Sequence, residues 1–459
     1  MRTAVVLTGT GTAGAYHAGV LRALHEAGVR IDLVAGRGIG SIGALFAAID
    51  GGPRLWEKDG VWKRPTAGSA YSWRRPLRIA GGALVAAAAL LALPLALFGV
   101  GVLVAIAGAL LALVSLDRAS IAVTAAYARW LDWLFAPTAI PTVIPRLVVL
   151  CLIAAIVALG AAVVVNFFRH AARRRERSGL LWRLLGAPLS AEALESSLRA
   201  ELWSLIRGAA PIGVPAPAEL GRKYVELLAE NLGQPGFREL LIVAHDLDAR
   251  RDLVFGLLSD AHRARFFTRP VLDGPRQAEA FDLAGVARDH AYDALAASLT
   301  VPVATEPRLV SFPPEGPWRG ETHRVCDRPG SLTRLIEEVG VAGAEQVIIL
   351  SAAPPPGRPH ELSAGRADLR GRTGEQLTAF ETAALRDVME QFGGRFAGIY
   401  LVRPVHNPLG PLDFAGVYDE RSDRRHSLAE LVDRGYEDGY RQFVEPIVAV
   451  SGERMQVQS

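Results

Sequence analysis

Cysteine is almost absent from this sequence: of 459 residues only Cys151 and Cys326 carry a thiol. Two thiols so far apart, one inside an apolar run, make no disulfide framework, and nothing in this usage argues against a reducing compartment. Metal-ligand spacing is missing too. The ten histidines are scattered, with no CxxC, no HExxH and no acidic calcium loop, so neither a metal nor another cofactor is expected. Charge of one sign is also lacking. Fifty Lys and Arg against 47 Asp and Glu leave a formal +3, and the basic residues are not interleaved with aromatics as base stacking requires. Nucleic acid is therefore not an expected partner. A signal peptide is not expected either, because Met1 to Leu7 is too short an apolar run and meets a glycine-rich loop at once.

What the sequence has in excess is apolar surface, with a mean hydropathy of +0.23. Ile79 to Leu116 holds no charged side chain. At about 1.5 Å per residue this run is too long for one crossing of a roughly 30 Å hydrocarbon core and long enough for two. Pro94, Gly99 and Gly101 near its middle predict a tight helical hairpin. Leu147 to Phe168 is a second run, long enough for one crossing. Between them Ile121 to Phe135 mixes Tyr127, Trp130, Trp133 and Phe135 with Arg129 and Asp132, which fits an interfacial helix or a further span. Arg74, Arg75 and Arg78 precede the region, and Arg169, Arg173, Arg174, Arg175 and Arg177 follow it. By the positive-inside rule both ends face the cytoplasm, so the crossings are even in number and four are expected. The second arginine cluster is also chemically suited to anionic lipid head groups.

The flanking sequence reads as α/β. Thr3 to Leu7 predicts a buried strand, Gly9 to Gly14 a glycine-rich turn, and Ala15 to Ala27 a helix; Ile31 to Ala35, Gly36 to Gly40 and Ser41 to Ile49 repeat that pattern. After the apolar region, Leu194 to Ile206 predicts an amphipathic helix behind Ser190. Leu240 to Ala244, Gln346 to Ser351 and Ala397 to Val402 predict buried strands. Leu332 to Val339, Glu375 to Phe392 and Ser427 to Phe443 predict helices. The expected organisation is a parallel α/β sheet whose halves, residues 1–75 and 179–459, are separated by an inserted membrane region at 76–178.

Three stretches carry chemistry. Leu7 to Leu24, LTGTGTAGAYHAGVLRAL, is a strand, a glycine turn and a helix. Its GTGTAG also fits a dinucleotide fingerprint, but no acidic residue ends the second strand where a ribose would be held. The second stretch is DLVAGRGIGSIGALFAA, from Asp32. The third is Arg324-Val325-Cys326-Asp327-Arg328-Pro329-Gly330-Ser331, preceded by Ala297-Ser298-Leu299-Thr300-Val301-Pro302.

In this order the three resemble the motifs of a bacterial patatin-like phospholipase, and ELLIVAHDLD and YLVRPVHNPLGPLDF resemble that family's internal and closing strands. The resemblance spans about residues 1–60 and 220–445. It implies a patatin-like α/β fold and a Ser/Asp dyad that needs no histidine. His17, His245 and His406 are accordingly expected to serve the helices and turns around them. The glycine turn would supply the oxyanion hole from Gly9, Gly11 and Thr12, with Thr10 and Ala13 replacing a glycine and an arginine of the family pattern. The family's G-x-S-x-G falls, without gaps, on Gly36, Arg37, Gly38, Ile39 and Gly40, which puts glycine at the nucleophile position. Read from the helix side, Ser41-Ile42-Gly43-Ala44 matches S-x-G-A and makes Ser41 the nucleophile; a helix N-cap is the alternative role for that serine. Asp327 would be the general base, and Arg328 beside it is expected to lower its pKa. A solvated turn residue is its alternative.

The resemblance thus implies a membrane-anchored hydrolase of phospholipid or acylglycerol esters at the bacterial inner membrane, its catalytic part facing the cytoplasm, with lipid and the bilayer as partners. The competing reading is a catalytically inactive patatin-like scaffold that binds lipid or a partner protein. Acyl chain, head group and oligomeric state are not legible in the sequence.

Overall fold

The structure, a computed structural model, describes residues 1–135, 143–171, 186–208, 210–271, 274–357, 368–405, 409–416, 418–419 and 424–447. His406, Arg173, Arg174, Arg175 and Arg177 lie outside the described residues, as does the side chain of Arg169. The chain divides into two compact units, residues 1–72 with 189–459, and residues 73–188.

The first unit is built on a nine-stranded sheet. It opens with β1 (Thr3–Thr8), helix α1 (Ala13–Glu26), β2 (Leu33–Arg37) and helix α2 (Gly40–Ala48). The later strands are β3 (Glu239–Asp246), β4 (Arg251–Leu257), β5 (Ala280–Asp282), β6 (Arg308–Ser311), β7 (Thr322–Cys326), β8 (Gln346–Ser351) and β9 (Gly398–Val402). Their order is β9-β8-β1-β2-β3-β4-β5, with β7 added to β3 and β6 to β7. From β9 to β3 every pairing is parallel, while β4 and β7 run antiparallel to β3. The parallel strands were legible as unbroken apolar runs because both faces of the sheet are covered. Along β1, Val5 and Leu7 enter the core shared with α1 and helix Leu428–Gly439, whereas Ala4 and Val6 enter the core built with Leu332, Leu335, Ile336 and Val388. This two-residue alternation fixes the register, and truncating one such side chain, Leu7 for example, costs about 2–5 kcal/mol.

The pairing positions the chemistry. Leu7 of β1 lies opposite Gly36 of β2, so the glycine turns after the two strands begin side by side. Cys326 of β7 lies opposite His245 of β3, which delivers Asp327 to the carboxyl edge of β3. Carboxyl edges of parallel strands are where α/β sheets place their ligand crevices.

The second unit holds helices α3 (Arg75–Leu113), α4 (Asp117–Phe135) and α5 (Val143–Ala171). Here the expected hairpin within Ile79–Leu116 is corrected: α3 is one helix of 39 residues that runs through Pro94. The glycines that predicted a turn serve packing instead. A Cβ on Gly101 would lie 3.2 Å from the Tyr127 ring, and one on Gly108 3.3 Å from Ser120 and Thr124, so both let α4 approach α3 closely. The Tyr127 hydroxyl also donates to the Leu97 carbonyl. Apolar helices tolerate proline and glycine where neighbouring helices and side chains complete the packing and the hydrogen bonds. Arg75–Leu113 and Val143–Val165 are each long and apolar enough to cross a membrane.

Candidate active site

The turn after β1 is left-handed at Gly11 (φ +61°), and the turn after β2 is left-handed at Gly38 (φ +55°). A strand that ends in such a residue and passes straight into a helix has the shape of a nucleophile elbow. Gly38 is the apex of that elbow. A Cβ placed on it would lie 2.8 Å from Asp327 Oδ2 and closer still to the Gly9 carbonyl oxygen, so this position points directly at the carboxylate. The Gly9 carbonyl is itself held by the Ile39 N–H at 3.0 Å.

Ser41 sits in the first turn of α2 with its N–H donating to the Gly38 carbonyl at 3.1 Å. Its side chain is fully buried, and its hydroxyl oxygen has no hydrogen-bond partner. It caps nothing through its side chain: Ile39 is the N-cap. The structure thus brings Gly9 and Asp327 together around Gly38, and gives Ser41 no hydrogen bond to Asp327.

Asp327 is only 1% exposed. Its N–H reaches the carbonyl and hydroxyl of Thr300, both at 3.3 Å, so the Ala297–Pro302 segment holds the aspartate in place. Thr10 Oγ1 donates to Oδ2 at 3.3 Å, and Arg37 Nη1 stands 3.6 Å from Oδ1. Burial pushes the carboxyl above its ordinary range, opposed chiefly by the charge of Arg37. The expected depression by Arg328 is therefore corrected. That guanidinium turns to Asp252 at 2.8 Å, where Ser331 and His245 also converge, at 2.7 and 2.8 Å.

Sequence reasoning missed two members of this cluster. Arg37, with no exposed surface, ends β2 and pairs with Glu381 of the helix Leu369–Phe392. Glu381 also contacts Thr8 Oγ1 and Thr10 Oγ1, both at 3.3 Å, and burial raises its pKa to about 7. One cation between two buried carboxyls favours a proton on one of them. Thr10 Oγ1 lies 3.3 Å from both Asp327 Oδ2 and Glu381 Oε1, and its single hydroxyl proton serves one of the two carboxyls at a time. A charged residue at the end of an otherwise apolar strand was the one sequence signal for Arg37.

His17 is buried beside the same turn, with Nε2 3.1 Å from the Thr8 carbonyl, which fixes the proton on that nitrogen. Burial lowers its pKa to about 3, so it stays neutral and has no basic role toward this site. His245 is spent on Asp252. Among the described residues no group of His, Cys, Asp and Glu is arranged to hold a metal.

The sequence model of the patatin-like phospholipase family matches residues 5–327, about 70% of the chain. The chain belongs to the patatin-like phospholipase family. Its mainly parallel sheet flanked by helices is the patatin fold. Patatin-like phospholipase domain-containing protein 6 from Mus musculus is 48% identical over 62 residues, 13% of this chain and 5% of that protein; the Homo sapiens protein of the same name is 48% identical over 62 residues and 4% of its length. The chain thus spans only a small part of these curated relatives. The crystal structure of VipD from Legionella pneumophila aligns with 97% of this chain and 66% of that chain, at 12% identity and a TM-score of 0.29.

Proposed function

We propose that this patatin-like chain is held in a membrane by its apolar helices and receives the carboxylic ester of a phospholipid or acylglycerol at the carboxyl edge of its sheet. The observation that carries the reading is the convergence of the glycine turn 9–12, the elbow at Gly38 and the buried carboxyl of Asp327. A turn of backbone N–H groups suits an oxygen acceptor, and a carboxyl across from it suits proton transfer.

In the hydrolytic form of this reading Ser41 Oγ attacks the ester carbonyl while Asp327 takes its proton; the alcohol leaves, and water clears the acyl-serine. That form requires Ser41 to leave its buried place in α2. A specific observation favours the second form, lipid engagement without an acyl-serine: the elbow carries glycine, and the space of its missing side chain is filled by the Gly9 carbonyl and Asp327. On geometry the second form has the better support.

A fluorophosphonate probe applied to the full chain in phospholipid vesicles separates the two. Labelling that disappears in Ser41→Ala supports the acyl-serine; absence of labelling in the unsubstituted protein, with vesicle lipid still cross-linking to the 9–16 segment, supports engagement alone. No lipid contact at that segment would sink both. We also propose the cytoplasmic face of a bacterial inner membrane for the α/β unit, on the strength of Arg74, Arg75 and Arg78 ahead of α3. Protease access to the α/β unit in inverted but not right-side-out vesicles is the expected result.

A further inference from the structure

The N–H groups of the glycine turn are not all open. The Thr12 N–H donates to the Pro411 carbonyl oxygen at 2.9 Å, and Thr12 Oγ1 donates to the Gly410 carbonyl at 3.2 Å. A Cβ on Gly11 would collide with that same Pro411 oxygen, so glycine is what admits it. The intruding segment is a tight turn closed by the Asp413 N–H on the Gly410 carbonyl, at 3.0 Å. Leu409, Leu412 and Phe414 are buried and anchor it, with Phe414 against the ring of Tyr71 at 5.3 Å. Arg370 ties it down by donating to the carbonyls of Leu412 and Tyr71, at 3.0 and 3.1 Å.

We infer that Gly410-Pro411 is an internal plug, its carbonyl occupying the seat of the lipid's ester carbonyl, and that the plug withdraws before lipid is received. The inference rests on the proposed lipid-engaging reading. Its physical basis is competition: an amide carbonyl and an ester carbonyl are the same kind of neutral oxygen acceptor, and Thr12 has one N–H to give. The occupant also indicates the class of ligand. Thr10, two residues before the N–H that holds the plug, contacts the carboxyls of both Asp327 and Glu381, so this turn suits a neutral carbonyl better than a phosphate.

The test uses the full chain in vesicles of phosphatidylethanolamine and phosphatidylglycerol, with a phospholipid carrying a photoreactive group near its acyl carbonyl. Arg370→Ala removes the bridge that ties the plug's Leu412 carbonyl to the Tyr71 carbonyl, and Arg370→Lys restores part of it. In Arg370→Ala, amide exchange at Thr12 is expected to rise about tenfold, and lipid adducts on the 9–16 segment several-fold, with Arg370→Lys between that and the unsubstituted protein. Exchange across β1 serves as the control for the fold; should it rise as well, Leu412→Ala replaces the arginine variant. Unchanged exchange at Thr12 overturns the plug, and so does faster exchange with adducts equal to those of the unsubstituted protein. Faster exchange with no adducts in any of the proteins overturns the lipid-engaging reading and the plug with it.

Discussion

The two units of this molecule invert the ordinary distribution of charge and oil in opposite ways. In the α/β unit the side chains of Arg37, Asp327 and Glu381 are 0%, 1% and 5% exposed. In the helical unit Leu95, Phe98 and Leu103 of α3 are 77%, 73% and 65% exposed, in a stretch with no charged side chain from Ile79 to Leu113. Buried charge survives only where partners compensate its lost hydration, and exposed apolar surface on this scale is what the proposed membrane anchoring rests on. The first anomaly is local and marks a site. The second is extended and includes two helices long and apolar enough to cross a membrane. Each can be broken separately.

The largest effect is expected at Arg37. Arg37→Ala leaves two buried carboxyls without their cation and should destabilise the α/β unit by about 3–5 kcal/mol, read as a shift in urea midpoint. A loss below about 1 kcal/mol would mean that water, not Arg37, compensates the pair. In the helical unit Leu95→Arg places a charge near the middle of α3. The apparent insertion cost of that segment should rise by about 2.5–3.5 kcal/mol, measured as the inserted fraction in a translocation assay; an unchanged fraction would mean that α3 does not lie in lipid.

A third test returns to the buried cluster through pH. Glu381 titrates near 7 in the folded state against an ordinary value of 4.5, so the folded protein holds its proton more tightly than the unfolded chain does. The stability this group contributes is complete below about pH 4.5 and is lost as pH rises to about 7, a decline on the order of 3 kcal/mol. Glu381→Gln should flatten the stability profile across that window, and a profile that keeps its slope in the variant would place the titration elsewhere. The smallest effect belongs to Ser41. Its hydroxyl makes no hydrogen bond in the buried first turn of α2, so Ser41→Ala should change stability by no more than about 0.5–1 kcal/mol, or raise it. A larger loss would reveal a partner for that hydroxyl.

Much of the α/β frame was legible because its signals are local. Gln346–Ser351 reads as one apolar run and is β8, and the glycine turns expected at 9–14 and 36–40 do separate strand from helix, though they are shorter, 9–12 and 38–39. Strands β4 to β7 were not read. They lie at the antiparallel side of the sheet, where polar and apolar residues mix and the pattern weakens. The two alignments of the GRGIGS stretch were both open from sequence, since spacing alone does not say which residue has a positive φ. The Arg37–Glu381 pair joins positions 344 apart, and the plug joins Thr12 to a proline almost 400 residues later, so no local pattern could announce either.

By itself the sequence determined which segments must be buried in a sheet, which are long and apolar enough to cross a membrane, and that glycine occupies the ungapped nucleophile position, because periodicity, length and residue type act locally. Only the tertiary structure decided that Gly38 is the elbow, that Ser41 lies beneath it, that a single helix runs through Pro94, and that a carbonyl from Pro411 fills the glycine turn. Those outcomes depend on which distant backbones come within hydrogen-bonding distance, and that is settled by the packing of the whole sheet and its helices rather than by any one segment.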